Sequence, residues 1–187
     1  MIKHARIAAL AGAAAVALMG GTAALASQAG SAGTPGPAAS VRTPHCTAKE
    51  MSAGLHGYQA DLGNRGFIMT LTNTSNHSCS VDGYAGLKLK NAAHHLVHSS
   101  THTGGTYFIY PDPRPRLIVL SPGETASADF AYFSGTGGST DSVATYLLVA
   151  PPGTSRYVSV RIPGAPVRID LGSLNETALE RHTPYNT

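Results

Sequence analysis

The feature that most constrains the fold is a two-residue period of apolar side chains from residue 55 onward. In GFIMTLTN (66–73), Phe67, Met69 and Leu71 fall on one face, and GLKLK (86–90) separates its leucines from its lysines in the same way. Successive side chains of a β-strand point to opposite faces, whereas an α-helix repeats about every 3.6 residues. The alternation therefore predicts strands that each turn one face toward a core.

Further segments have strand composition, and turn signals that contain Gly, Pro, Asn or Asp separate them. We therefore predict an all-β domain, an antiparallel β-sandwich of about eight or nine short strands without a sizeable internal helix. A small closed barrel is the alternative. The additional predicted strands are 95–99, 106–110, 116–120, 125–133, 145–150, 157–162 and 167–171.

The N-terminal residues have the pattern of an export signal. A basic head at residues 3–6 precedes an apolar stretch at 7–19, and Ala-Leu-Ala at 24–26 is a small-x-small cleavage motif. The apolar stretch is shorter than the roughly 20 residues of a membrane span. We predict a signal peptide at 1–26 and a secreted, extracellular mature chain without a membrane span.

Composition divides the remaining chain into three parts. Residues 27–45 are small, Pro-rich and nearly uncharged, which predicts a disordered spacer, because such a segment buries too little apolar surface to offset its ordering entropy. The predicted β-sandwich domain covers residues 46–171. Residues 172–187 are predicted to form a C-terminal tail, in which a short helical turn around 176–181 would lack a convincing apolar face.

The charge of the chain argues against two classes of partner. Without residues 1–26, 11 Lys and Arg face 10 Asp and Glu, so the net charge is +1, and there is no run of basic residues. Nucleic-acid-binding domains carry a basic patch or stripe, and membrane-surface helices carry a basic amphipathic face. We therefore expect neither nucleic acid nor a membrane surface as partner.

Cys46 and Cys79 are the two cysteines of the chain. Two cysteines in an exported chain most simply form one disulfide. A catalytic thiol is the alternative, but neither cysteine lies in a CxxC motif or in a recognisable nucleophile setting.

Four motifs occur together in the predicted domain: a strand that ends in T-N with a Cys a few residues on, then G-Y-x-G, then L-x-P-G-x-x-A, then a P-P-G turn. They lie in LTNTSNHSCSVDGYAGLKL (71–89), VLSPGETASADFAY (119–132) and LLVAPPG (147–153). With these motifs the chain resembles an actinobacterial family of secreted proteins and lipoproteins known as a domain of unknown function, over about residues 46–171. The resemblance implies an immunoglobulin-like β-sandwich, export and a Cys46–Cys79 bridge. It implies no established activity and no functional residue.

NAAHHLVHSSTH (91–102) is the candidate metal-binding segment. If it is a strand, its histidines on one face are spaced by about 13 Å, since a strand rises about 3.3 Å per residue, whereas zinc–nitrogen bonds measure about 2.0–2.1 Å. We therefore expect a solvated hairpin, with a copper or zinc site and a pH-responsive patch as alternatives. His77 is a further ligand that the fold could bring near. The histidines of the segment are His94, His95, His98 and His102.

YFIYPDPRPR (107–116) is the candidate partner-contact segment. Tyr and Arg are enriched at binding hot spots, and a loop that is already ordered loses less entropy on binding. The prolines at alternate positions stiffen this loop. The alternative is a strand crossover that these prolines hold rigid. The candidate contact residues are Tyr107, Tyr110, Arg114 and Arg116.

No pattern of a catalytic site is present. The chain has no G-x-S-x-G motif, and the glycines of GGSTDS (137–142) lack the Lys of a phosphate-binding loop. We therefore expect a non-enzymatic exported module that needs no cofactor and binds a cell-wall or extracellular partner through its loops. An extracellular copper- or zinc-binding protein is the alternative. A more remote alternative is a protease inhibitor that presents the Arg116-Leu117 bond to a protease.

Overall fold

A computed structural model of the chain describes residues 42–181. The predicted signal peptide at 1–26, the predicted spacer up to residue 41, and residues 182–187 of the predicted tail lie outside the described residues. Between residues 42 and 181 the structure has no helix, and hence none long and apolar enough to cross a membrane. The predicted all-β class is confirmed.

The part of the chain that the structure describes contains twelve strands, more than the eight or nine expected. They are β1 (Met51–Asp61), β2 (Asn64–Asn73), β3 (Cys79–Asp82), β4 (Gly86–Lys90), β5 (Leu96–Val97), β6 (Ser100–Thr103), β7 (Leu117–Leu120), β8 (Thr125–Ser134), β9 (Ser142–Ala144), β10 (Tyr146–Ala150), β11 (Val158–Arg161) and β12 (Val167–Glu176).

The strands form two larger sheets and one small sheet. The first sheet has the order β1-β2-β8-β12-β6, with β9 also paired to β12, and the second has the order β11-β10-β4-β5. The small sheet consists of β3 and β7. Among these pairs only β12 with β6 is parallel. The arrangement is sandwich-like, as predicted.

One apolar core lies between the inner faces of the two larger sheets. Phe67, Met69 and Leu71 of β2 are at most 1% exposed, which confirms the face predicted from their alternation. They belong to one cluster with Phe130 of β8 and Leu147 of β10. Burial of such side chains is the main stabilising contribution to a domain of this kind, at about 1.5–3 kcal/mol each.

A disulfide joins Cys46 to Cys79, with an S–S distance of 2.03 Å, as predicted. Backbone hydrogen bonds continue the connection: the Cys46 amide donates to the Ser80 carbonyl at 2.9 Å, and the Ser80 amide donates to the Pro44 carbonyl at 2.8 Å. The bridge therefore fastens the beginning of the folded domain to β3.

The strand predicted at 106–110 is wrong. Its aromatic and β-branched composition suits a strand, but Gly105, at φ 130°, turns the chain after β6. The Thr106 hydroxyl then accepts hydrogen bonds from the amides of Phe108 and Ile109, at 3.2 and 3.0 Å. These local bonds replace the ladder that a strand would need.

The strand predicted at 95–99 is shorter than expected. Leu96 and Val97 pair with β4 in the second sheet, and the chain then crosses to the first sheet, where β6 begins at Ser100. Strands β1, β3, β6 and β9 were not predicted. The sequence of β1, MSAGLHGYQAD, has too few large apolar residues to show an alternation.

The C-terminal boundary predicted at residue 171 falls inside β12, which continues to Glu176. No helical turn forms around 176–181. Instead, the Ser127 amide donates to the Glu180 carbonyl and the Glu180 amide donates to the Ser127 carbonyl, both at 2.8 Å. Leu174 and Leu179 are completely buried, so this part of the chain belongs to the folded domain.

Candidate functional site

Residues 104–116, here called the strap, join β6 to β7 and cross the outer face of the first sheet. The strap contains the segment predicted to contact a partner. Phe108 lies directly over β2, because a Cβ atom on Gly66 would come within 2.6 Å of the Phe108 ring. Gly66 therefore allows the close approach, and any larger side chain at this position would displace the strap.

Asp129 of β8 is the first anchor of the strap. It is completely buried, although its position in the alternation predicts an outward-facing residue, because the strap covers this face. Its Oδ2 atom accepts a hydrogen bond from the Thr106 hydroxyl at 2.5 Å, and its amide donates to the Thr177 hydroxyl at 2.9 Å. Burial raises the pKa of Asp129 to about 6, and the bond from Thr106 acts in the opposite direction.

Asp112 is the second anchor and belongs to the strap itself. Its Oδ2 atom accepts a hydrogen bond from the Tyr84 hydroxyl at 2.5 Å, and its Oδ1 atom accepts one from the Ala178 amide at 2.8 Å. The bond to Asp112, followed by burial, raises the pKa of Tyr84 to about 12, so the phenol remains a donor. One carboxylate thus connects the strap to two separate parts of the domain.

A third contact holds the beginning of the strap against the β1–β2 hairpin. The Tyr107 hydroxyl donates to Asp61 Oδ2 at 2.6 Å, and this bond raises the pKa of Tyr107. Tyr107 also meets Phe108 edge to face, with ring centroids 5.3 Å apart. The strap is therefore held at its beginning, through Thr106 and Tyr107, and further along, through Asp112.

The outward side of the strap is exposed. The side chain of Tyr110 is 84% exposed and that of Tyr107 is 52% exposed, and both Arg114 and Arg116 are exposed. Leu117, where β7 begins, is 63% exposed. The structure thus brings the predicted contact residues together on one ordered segment.

A third carboxyl, Glu176 of β12, lies close to this region. It is completely buried, and neither oxygen has a side-chain hydrogen-bond partner within the described range. Burial raises its pKa to about 8; the Ala85 amide lowers the pKa, and the charge of Asp112 raises it. Glu176 is therefore protonated at neutral pH.

The four clustered histidines are exposed and lie in different settings. His94, at φ 61°, stacks on Tyr146 with ring centroids 4.5 Å apart. His102 lies on β6, and the His98 carbonyl accepts a hydrogen bond from Ser142 Oγ at 2.6 Å. His95 lies in the turn before β5, and its amide donates to the Asn91 side chain at 3.0 Å. Between residues 42 and 181, no three His, Cys, Asp or Glu side chains meet in a metal-binding group.

His77 lies apart from these histidines, where its Nε2 atom is 3.2 Å from Glu50 Oε1.

An open cleft of about 970 Å³ lies between β5, β9 and β12, and the GGSTDS segment and His98 line it. This cleft is mostly apolar, and Leu171 projects into solvent at its edge with 54% exposure. Asp141 Oδ2 accepts a hydrogen bond from the Gly137 amide of the same loop at 2.7 Å.

The sequence predicted the exposed contact residues of the strap. It did not predict the buried carboxyl groups that hold the strap in place. Asp129 lies in TASADFAYF, where its place in the alternation is that of a solvated residue. Nothing in that segment shows that a loop from elsewhere in the chain covers it. Glu176 falls in the predicted tail, because residues 172–187 show no convincing apolar face.

Comparison with curated proteins gives no match to the chain. Residues 46–180 match the profile of the family described as Domain of unknown function (DUF4232). The match covers most of the chain and extends past residue 171 to the end of the folded domain. The protein with the anchored strap and the Cys46–Cys79 bridge belongs to the DUF4232 family.

Proposed function

We propose that this chain is an exported, non-catalytic β-sandwich module that binds a cell-wall or extracellular partner through the outward side of the strap. The observation that carries the proposal is the exposure of Tyr110, at 84%, on a segment that buried hydrogen bonds hold in place. An exposed aromatic side chain on an ordered loop is available to a partner without a folding step.

A loop that is ordered before it binds loses less conformational entropy on association. Ordering a flexible loop on binding opposes association, at about 0.5–1.5 kcal/mol for each immobilised side chain. In the strap this ordering has already occurred, because Asp112 and Thr106 make their bonds within the domain. The aromatic ring of Tyr110 and the guanidinium groups of Arg114 and Arg116 then contribute contact area and hydrogen-bond donors.

Export is supported by two features. Residues 1–26 have the basic head, apolar stretch and small-x-small motif of a signal peptide. The Cys46–Cys79 disulfide is of a kind that persists in oxidising compartments outside the cytosol.

Combining Tyr110→Ala with Arg114→Ala is expected to weaken retention of the folded domain on purified cell walls at least tenfold. Hot-spot side chains of this type contribute about 2 kcal/mol or more, and each 1.4 kcal/mol is a factor of ten. Co-sedimentation with walls that retain their proteins measures the effect.

The matched control combines Leu96→Ala with Arg156→Ala, an exposed apolar residue and an exposed arginine that lie outside the strap. This control is expected to sediment like the unmodified domain. Failure of the unmodified domain to sediment, or equal retention of the strap variant, would contradict the proposal.

A further inference from the structure

A second cleft, of about 630 Å³, opens at the end of the sandwich where β1, β2 and β8 face the turn before β12. It lies apart from the strap, and none of the strap residues lines it. Its rim includes Pro163 and Pro166, which have no backbone N–H group. These two prolines therefore contribute no backbone donor to the cleft.

The cleft contains two arginines and no acidic residue. Arg65 and Arg168 line it, and neither forms an ion pair within residues 42–181. Arg65 Nη1 donates to the Asn64 carbonyl at 2.9 Å, which fixes the guanidinium near the cleft. Arg168 alternates on β12 with the core-facing Val167 and Ile169, so Arg65 is the guanidinium that lies beside Tyr132. Without a carboxylate partner, it makes the potential at the cleft positive.

Tyr132 forms the floor of the cleft and has an unused hydroxyl group. The residue is only 3% exposed, and its hydroxyl makes no hydrogen bond with any described residue. Burial raises its pKa to about 12, the charge of Tyr58 acts in the same direction, and Arg65 lowers the pKa. The hydroxyl is therefore protonated and is available as a donor beside Arg65.

Tyr58 supplies an aromatic surface at the opening. Its ring packs on Phe67, with centroids 5.3 Å apart, while 60% of the residue is exposed. Because the core holds this ring from below, it offers a fixed platform for an apolar or aromatic group of a ligand.

We infer that this cleft binds an organic carboxylate, with the carboxylate on Arg65 and the Tyr132 hydroxyl and an apolar group on Tyr58. A carboxylate is planar and matches the fork of a guanidinium group. A phosphate group has more acceptor oxygens and more charge than one guanidinium group and one hydroxyl can satisfy. The inference is independent of the function proposed for the strap.

Titration of the ¹⁵N-labelled domain with benzoate tests this inference. Benzoate is expected to shift the amide signals of Ser134, Gly135 and Gly164, which line the cleft, with saturation at a Kd of about 1–10 mM, as a ligand of few atoms binds weakly. Arg65→Gln is expected to weaken binding about tenfold, because a charge-assisted hydrogen bond is lost. Tyr132→Phe, which retains the ring, is expected to weaken binding about threefold or more.

Two controls separate this site from the strap and from the net charge of the protein. Arg156→Gln and Tyr110→Ala are both expected to bind benzoate like the unmodified domain. Benzamide, which has the same ring without the charge, is expected to cause no saturable shift. Saturable binding of benzamide, equal or tighter binding of phenyl phosphate, unchanged binding by Arg65→Gln, or no saturation by benzoate would each overturn the inference.

Discussion

Replacing both Cys46 and Cys79 with alanine is expected to lower the free energy of unfolding by roughly 3.7 kcal/mol, the chain-entropy value for the loop of 33 residues that the bridge closes. For a domain of this size the melting temperature should fall by about 10–15 °C. Both cysteines are buried, so the alanine side chains also leave small gaps in the core. Thermal unfolding of the two proteins followed by circular dichroism measures the difference.

Unfolding of the unmodified domain with and without reductant provides the control. Once reduced, the unmodified domain should melt close to the temperature of the double alanine variant. Melting temperatures that agree within about 2 °C for the oxidised and double alanine proteins would show that the bridge does not constrain the unfolded chain.

The free energy of unfolding is also expected to decrease as the pH rises from about 4.5 to 8, and Glu176→Gln is expected to remove most of this slope. The pKa of Glu176 is about 8 in the folded domain against 4.5 for an ordinary glutamate. Within this interval the unfolded chain has released the proton that the folded chain retains, so deprotonation favours unfolding. The difference between these two pKa values corresponds to a change in the free energy of unfolding of roughly 5 kcal/mol at most.

Asp129 adds a smaller effect of the same sign. Its pKa rises from 3.8 to about 6 on folding, so its contribution is present at low pH and is lost between about pH 4 and 6. Urea unfolding of the unmodified domain and Glu176→Gln at several pH values separates the two contributions, because the variant retains only the Asp129 part.

Glu124→Gln is the matched control for the pH experiment. Glu124 is exposed and its pKa is lowered, mainly by a hydrogen bond from the Ser121 amide. The stabilising contribution of Glu124 is therefore lost only as the pH falls below the ordinary range of a glutamate pKa. The slope of the free energy of unfolding between pH 5 and 8 should remain unchanged in Glu124→Gln. The same slope in Glu176→Gln as in the unmodified domain would contradict the protonated state assigned to Glu176.

Much of the fold was predictable because it depends on local alternation. The faces of β2 and β4 follow directly from the order of apolar and polar residues, and the disulfide follows from the number of cysteines. The strand predicted at 106–110 failed because composition alone does not show that Gly105 turns the chain and that Thr106 captures the following amides. Long-range pairing, as of β12 with β6, has no signal in a single sequence.

The candidate site was predictable only on its exposed side. Tyr110 and Arg114 are recognisable as contact residues from their type and from the neighbouring prolines. The anchors Asp112, Asp129 and Tyr84 come from three distant parts of the chain. Their roles depend on which loop covers which sheet, and that arrangement follows from the tertiary structure.

The most direct test of the account is the backbone dynamics of the strap, since the proposed function depends on a contact segment that is ordered before binding. ¹⁵N relaxation of the free domain should give order parameters of about 0.85 for Phe108, Ile109 and Asp112, as in rigid backbone. Values below about 0.6 at these amides, typical of a flexible loop, would contradict the account.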